Sequence, residues 1–192
     1  MELHQKTQRV GELLSLFALD VIPWEVVEIM SQSQGWVEAE VNEAKKQLYK
    51  LHLIQRLADK ESAYKIHPLI REFLKVKLAA SEQADDLKLG FAEVMVVLAK
   101  KIPSSPTTEL IKSVKDAIPH LAELAQNLTD AVSDEDLIWA FVGLSRFYEG
   151  QGAYAQALPY LEQCLLVAKE RLGEEHPAVA NSYSDSNSKF KI

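Results

Sequence analysis

The chain has a single cysteine, Cys164, in 192 residues. One thiol can close no intramolecular disulfide and build no thiolate-rich zinc site, which fits a reducing compartment. The five histidines fall at no metal-binding spacing of the His-Glu-x-x-His kind. The seven glycines form no Gly-x-x-x-x-Gly-Lys-Ser/Thr loop, and phosphate cradling needs the consecutive backbone N–H groups that such a loop aims inward. Paired carboxylates or a Ser/His/Asp spacing that could support catalysis are also missing. The expectation is a chain that is no enzyme, hydrolyses no ATP and holds no cofactor of its own. No apolar run nears the ~20 residues that span a bilayer. The polar start with Glu2 lacks the basic-then-apolar order of a signal peptide. A cytoplasmic protein without membrane contact is expected.

A basic excess is lacking too. The net charge is −7, and it is unevenly placed. Residues 1–80 carry 11 acidic and 11 basic side chains, whereas residues 81–192 carry 17 and 10. An acidic C-terminal portion disfavours a nucleic-acid surface there, because backbone binding needs clustered Lys and Arg.

What is present is helical periodicity. Apolar residues at Val10, Leu13, Leu14, Phe17 and Ala18 predict a helix over 7–19. Pro23 opens a second helix that buries Trp24, Val27 and Met30, and Ser31 to Gly35 end it. A third, over 37–51, buries Val41, Ala44, Leu48 and Leu51. Two short alternating runs, Ile54–Leu57 and Ala63–Ile66, flank the polar turn Asp59-Lys60-Glu61-Ser62 and read as a hairpin. The helix opened by Pro68 should turn Leu69, Ile70, Phe73, Leu74 and Leu78 inward. Three helices, a hairpin wing and a closing helix predict a winged-helix domain over 1–80.

Beyond residue 80 the strand signal vanishes. A helical linker is expected over 81–132, with one long helix from Leu87 to Leu98 and two shorter ones broken at Pro119. Ser133 or Asp134 should cap the next helix. Phe141, Leu144, Ser145, Tyr148, Gly152, Tyr154, Ala157, Leu161 and Cys164 then take the spacing of a tetratricopeptide helical hairpin. Small residues at Ser145, Ala157 and Cys164 let its two helices approach. Residues 133–192 are thus assigned one complete repeat and a truncated second beginning at Ala178, whose apolar positions give way to Ser182, Ser184, Asp185 and Ser186. Trp24, Trp36 and Trp139 lie in apolar stripes and are expected in the core. The fold class is mainly α.

His67 is the first candidate site residue. It precedes Pro68 at a helix start, where partial positive charge and free N–H groups favour anions. One reading is an imidazole facing a phosphate; the other is a capping histidine packed against the wing. Tyr154 and Tyr160 are the candidates for a peptide-binding groove. At its repeat position Tyr154, like Tyr148, also reads as a packing residue, while Tyr160 beside Pro159 reads as exposed. Lys45, Lys46, Lys50 and Arg56 would suit a DNA-reading third helix and wing, but Glu38, Glu40 and Glu43 share that helix and repel phosphates. Cys164 is a small buried side chain.

The order of these parts resembles the C-terminal part of bacterial, cyanobacterial-type STAND signalling ATPases of the NB-ARC class. Leu48-Tyr49-Lys50-Leu51-His52-Leu53-Ile54 leading to Tyr64 through Leu74, and Phe147-Tyr148-Glu149-Gly150-Gln151-Gly152 through Pro177, carry the resemblance. The connection Arg171-Leu172-Gly173-Glu174-Glu175-His176-Pro177 is similar to that of kinesin-light-chain-type repeats. The resemblance implies a switch in which the winged helix closes over ADP held by an upstream NTPase core in cis, and the repeats receive a protein or peptide ligand. ADP or ATP with magnesium is implied for that parent. Related receptors carry Met-His-Asp at the equivalent place, and the His contacts the β-phosphate; here the match reads Ile66-His67-Pro68, which keeps the His and loses the carboxylate. A DNA-binding regulator and a free-standing repeat adaptor are the alternatives.

Overall fold

A computed structural model describes residues 5–58, 62–177 and 179. The chain is mainly helical with one small antiparallel sheet. It divides into two units, Met1–Val94 and Met95–Ile192. The first contains α1 (Gln5–Ser15), β1 (Ile22–Pro23), α2 (Trp24–Ser33), α3 (Glu38–Lys50), β2 (Ile54–Arg56), β3 (Ala63–Ile66) and α4 (Pro68–Ala79). α5 (Ala84–Lys100) contains the division, and α6 (Thr108–Val114), α7 (Ile118–Asn127), α8 (Trp139–Glu149) and α9 (Tyr154–Leu172) follow.

In the first unit α1 lies between α3 and α4 and is buried along most of its length. Gly11 permits this: a Cβ there would stand 3.0 Å from a Leu74 methyl and 3.8 Å from one of Leu48. The helix ends at Ser15, earlier than its apolar pattern suggests, because Leu16 and Phe17 tighten into i→i−3 bonds that turn both side chains into the core. The hairpin pairs Ile54 with Ile66 and Arg56 with Tyr64. Residues 59–61 of its expected polar turn, 59–62, lie outside the described residues. A third strand, unexpected from the pattern, sets Ile22 against Tyr64 and Pro23 against Ala63. At two residues it is too short to show alternation, and Pro23 suits it because an edge strand can spare one N–H. Pro23 also precedes α2 as expected.

The inward face of α4 differs from the expected one. Leu74 and Leu78 are buried, but Leu69 is 74% exposed and Phe73 53%. Arg71 takes the third place in the buried stripe, at 6% exposure, and its Nε donates to the carbonyl of Ser15 at 3.1 Å. That carbonyl closes α1 and has lost its helical partner. The guanidinium meets this need, and the helix turns its other apolar side outward. Of the three tryptophans only Trp24 is core, with an edge-on Tyr64 at 5.2 Å. Trp36 and Trp139 are half-buried beneath cations, Arg9 over the first at 4.9 Å and Arg146 over the second at 5.7 Å. An apolar stripe does not reveal that long basic side chains will form its lid.

In the second unit a 3-10 turn at Lys115–Ala117 separates α6 from α7, and Pro119 sits in the first turn of α7. The break therefore precedes the proline, which occupies a place where a missing N–H costs nothing. Neither Ser133 nor Asp134 caps α8. The helix begins at Trp139 after a run of turns and has no side-chain cap at Ile138. The acids serve longer contacts: Asp136 meets Lys100 at 2.5 Å, and Asp134 meets Arg171 at 2.7 Å. Arg171 also donates to the carbonyls of Thr129 at 2.8 Å and Val132 at 2.6 Å. Its planar fork thus ties the end of α9 to the segment before α8.

Candidate functional site

Two places carry the candidate residues. The first is the junction of β3 and α4. β3 ends at Ile66, Pro68 opens the helix, and His67 between them is the N-cap, with φ −69° and ψ 141°. Its Nδ1 accepts the N–H of Leu69 at 3.2 Å. A ring nitrogen that accepts carries no proton, so in the neutral ring the proton sits on Nε2. His67 is exposed, and in that tautomer Nε2–H is the ring's donor. The arrangement can cap a helix and offer one hydrogen bond to an oxyanion. The lysines of α3 are arranged differently. Lys45 folds back over the rings of Trp24 at 4.6 Å and Tyr64 at 5.3 Å, and burial lowers its pKa, against a smaller upward pull from Glu28. Lys46 faces Glu43 at 3.9 Å.

The second place is the hairpin of α8 and α9. Gly150 to Ala153 connect the helices. Gly152 has φ +69°, a left-handed conformation that glycine adopts without strain, and Ala153 donates back to the carbonyl of Tyr148. Ala157, Leu161, Cys164 and Ala168 form the buried stripe of α9. Phe141, Leu144 and Ser145 form that of α8, where Ser145 Oγ donates to Glu149 at 2.8 Å. Cys164 is thus the small core residue expected of it. At the connection Phe147 stands edge-on to Tyr148 at 5.3 Å, and Tyr148 stacks parallel to Tyr160 at 5.8 Å.

The expected exposures of the two candidate tyrosines are reversed. Tyr154, the first residue of α9, is 55% exposed, while Tyr160 is half-buried against Tyr148. Burial raises the Tyr160 pKa above its ordinary 10.0, and the charge of Tyr148 and a hydrogen bond to it act the same way. One turn plus two residues separates the tyrosines on α9, so only the partner helix could decide which ring it covers. Tyr148 is the packing residue its repeat position suggests, and its ring links Phe147 to Tyr160. The second repeat, expected from Ala178, lies outside the described residues except for Val179, which is buried.

Residues 137–178 match the family model for the tetratricopeptide repeat, which covers the α8–α9 hairpin and the connection after it. No curated protein and no solved structure matches the chain. The C-terminal hairpin is a tetratricopeptide-type region, a kind of element that is not catalytic and that binds protein partners. Among the described residues no helix is long and apolar enough to cross a membrane, and no cluster of His, Cys, Asp and Glu could hold a metal ion.

Proposed function

We propose that this chain is a regulatory protein-interaction region whose tetratricopeptide hairpin receives a peptide segment of a partner. The observation that carries this reading is the family match at 137–178, falling on a hairpin that exposes Tyr154 and carries the Tyr148–Tyr160 stack. Aromatic rings give large contact area at little conformational cost, which suits a recognition surface. The test is to pan a displayed peptide library on the full chain. The expected result is an enriched sequence family whose affinity falls about tenfold or more in Tyr154→Ala, a loss typical of one interface anchor. Enrichment of nothing, or peptides indifferent to Tyr154, would refute the groove.

A finer reading is favoured by the element order α1-β1-α2-α3-β2-β3-α4, which supports a winged-helix domain with β2 and β3 as its wing. In that reading the chain belongs to a switch of the STAND, NB-ARC type. Its winged helix closes over ADP bound, with magnesium in the ATP form, by an NTPase core elsewhere in the same polypeptide. The Nε2–H of the exposed His67 fits a nucleotide phosphate, and Nδ1 bonded to Leu69 keeps the ring in the tautomer that donates through Nε2. A charge-assisted bond of this kind contributes about 1–3 kcal/mol. His67→Ala in the polypeptide that contains the core should therefore speed ADP release by about tenfold or more. An unchanged release rate rules the contact out. The DNA-binding alternative is weaker, because Lys45 is drawn over two rings and Lys46 faces an acid.

A further inference from the structure

α4 turns Arg71, Leu74 and Leu78 into the first unit. On nearly the opposite side of the helix, at 3.6 residues per turn, lie Leu69, Phe73, Val76 and Ala80. All four are exposed, Leu69 to 74% and Val76 to 69%. Single exposed apolar side chains are ordinary. A stripe running the length of a helix marks a surface that another molecule covers. Its intervals of four, three and four residues are those of a coiled-coil seam, narrower than the face a helix lays on a globular core.

In that register Phe73 and Ala80 are a positions, and Leu69 and Val76 are d positions. The e positions are Ile70 and Lys77, and the g positions are Glu72 and Ala79, so the charges beside the seam are Glu72 and Lys77. Glu72 stands 3.8 Å from Lys75 and 3.9 Å from Arg71 but keeps its side chain 64% exposed, within reach of a partner. The Lys77 ammonium lies 5.5 Å from the Phe73 ring, at the edge of the seam.

Two parallel helices set each g position against the e position five residues further along the partner. Five residues beyond Glu72 is Lys77. In a parallel pair of α4 helices Glu72 of each copy therefore meets Lys77 of the other, twice by symmetry. An antiparallel pair would set glutamate against glutamate and lysine against lysine. The charges thus fit the stripe to a second copy of itself, in one sense only. The buried face lies opposite the seam, so the first units of two copies point away from each other. We propose that the chain forms a two-fold dimer by parallel pairing of α4 along Leu69, Phe73, Val76 and Ala80. The seam is two heptads long, short of the roughly 1,200 Å² that stable interfaces bury, so the dimer is reversible with a Kd on the order of 100 µM. It rests on neither the peptide groove nor the nucleotide reading.

The experiment is sedimentation equilibrium of the full chain from about 10 µM to about 1 mM, a range that brackets this Kd. The weight-average mass should climb from 21.6 kDa toward twice that value and stop there. Phe73→Glu sets like charges face to face in the seam and should hold the chain monomeric throughout. Glu72→Lys and Lys77→Glu should each weaken the dimer about tenfold, because two surface pairs turn from attraction to repulsion. The double reversal Glu72→Lys/Lys77→Glu should restore the natural Kd. All these positions are exposed, and circular dichroism checks each variant; Val76→Glu repeats the seam test should Phe73→Glu not fold. A natural chain that stays monomeric to the top of the range, or one that grows past the dimer mass, overturns the proposal. So does a dimer indifferent to the seam variant, a single reversal that leaves Kd unchanged, or a double reversal no tighter than the singles.

Discussion

Phe91→Ala should lower the thermal midpoint of the first unit by more than about 10 °C. Phe91 is fully buried, and its ring meets that of Phe17 edge-on at 5.3 Å and 76°. Truncating a buried phenylalanine costs about 3–5 kcal/mol, part of it for the cavity left behind. The edge-to-face pair adds about 0.5–1.5 kcal/mol within that loss. Phe17 ends the turn that follows α1, and Phe91 lies on α5, so the pair joins the two ends of the unit's sequence. A drop below about 3 °C would mean that the surroundings collapse into the hole, and that the pair does not hold the unit together. Differential scanning calorimetry of the full chain separates the outcomes, since a second transition of unchanged midpoint would belong to the other unit.

Gly143→Ala should destabilise the second unit, although alanine is the better helix former by about 1 kcal/mol. A Cβ at this position would stand 2.7 Å from the Cβ and 2.9 Å from the Cα of Ala99. These atoms cannot step aside by changing rotamer, so α5 and α8 have to separate where they cross. Overpacking of this kind costs about 1–3 kcal/mol. The contact outweighs the propensity gain, and the expected result is a net loss with faster amide exchange along α8. A raised midpoint would show that the helix crossing yields freely. The consequence reaches function, because α8 carries Tyr148 and supports α9 and the exposed Tyr154.

The residues that made the hairpin legible are the same ones that hold it. Ser145, Ala157 and Cys164 are small where two helices must meet, and all three are buried. The β3–α4 corner was legible for a similar reason. Pro68 presets the first helical φ, and the preceding His67 has to be the cap. Periodicity was less informative for α4, because Leu69, Phe73 and Val76 form an apolar stripe as continuous as the buried one. The approach of Gln83 to α1 was not legible, because only the fold brings together residues so far apart in sequence, whereas Gln8 and Glu12 share a face of α1 by their i, i+4 spacing.

By itself the sequence determined most of the elements: the helices of the first unit, the pairing of β2 with β3, and the segment that is a tetratricopeptide hairpin, but neither the two-residue strand β1 nor the start of α8 at Trp139. Those properties are local, set by φ preferences, caps and apolar spacing within a few turns. Tertiary structure alone decided which of two apolar faces α4 buries and which of the two tyrosines of α9 is covered. Arg71 turned α4 because the end of α1 needed a donor, and Tyr160 was covered where Tyr154 was not because Tyr148 stacks on it. The first outcome depends on groups far apart in sequence that no local window contains together, and the second on a ring across the helix connection that spacing along α9 does not show.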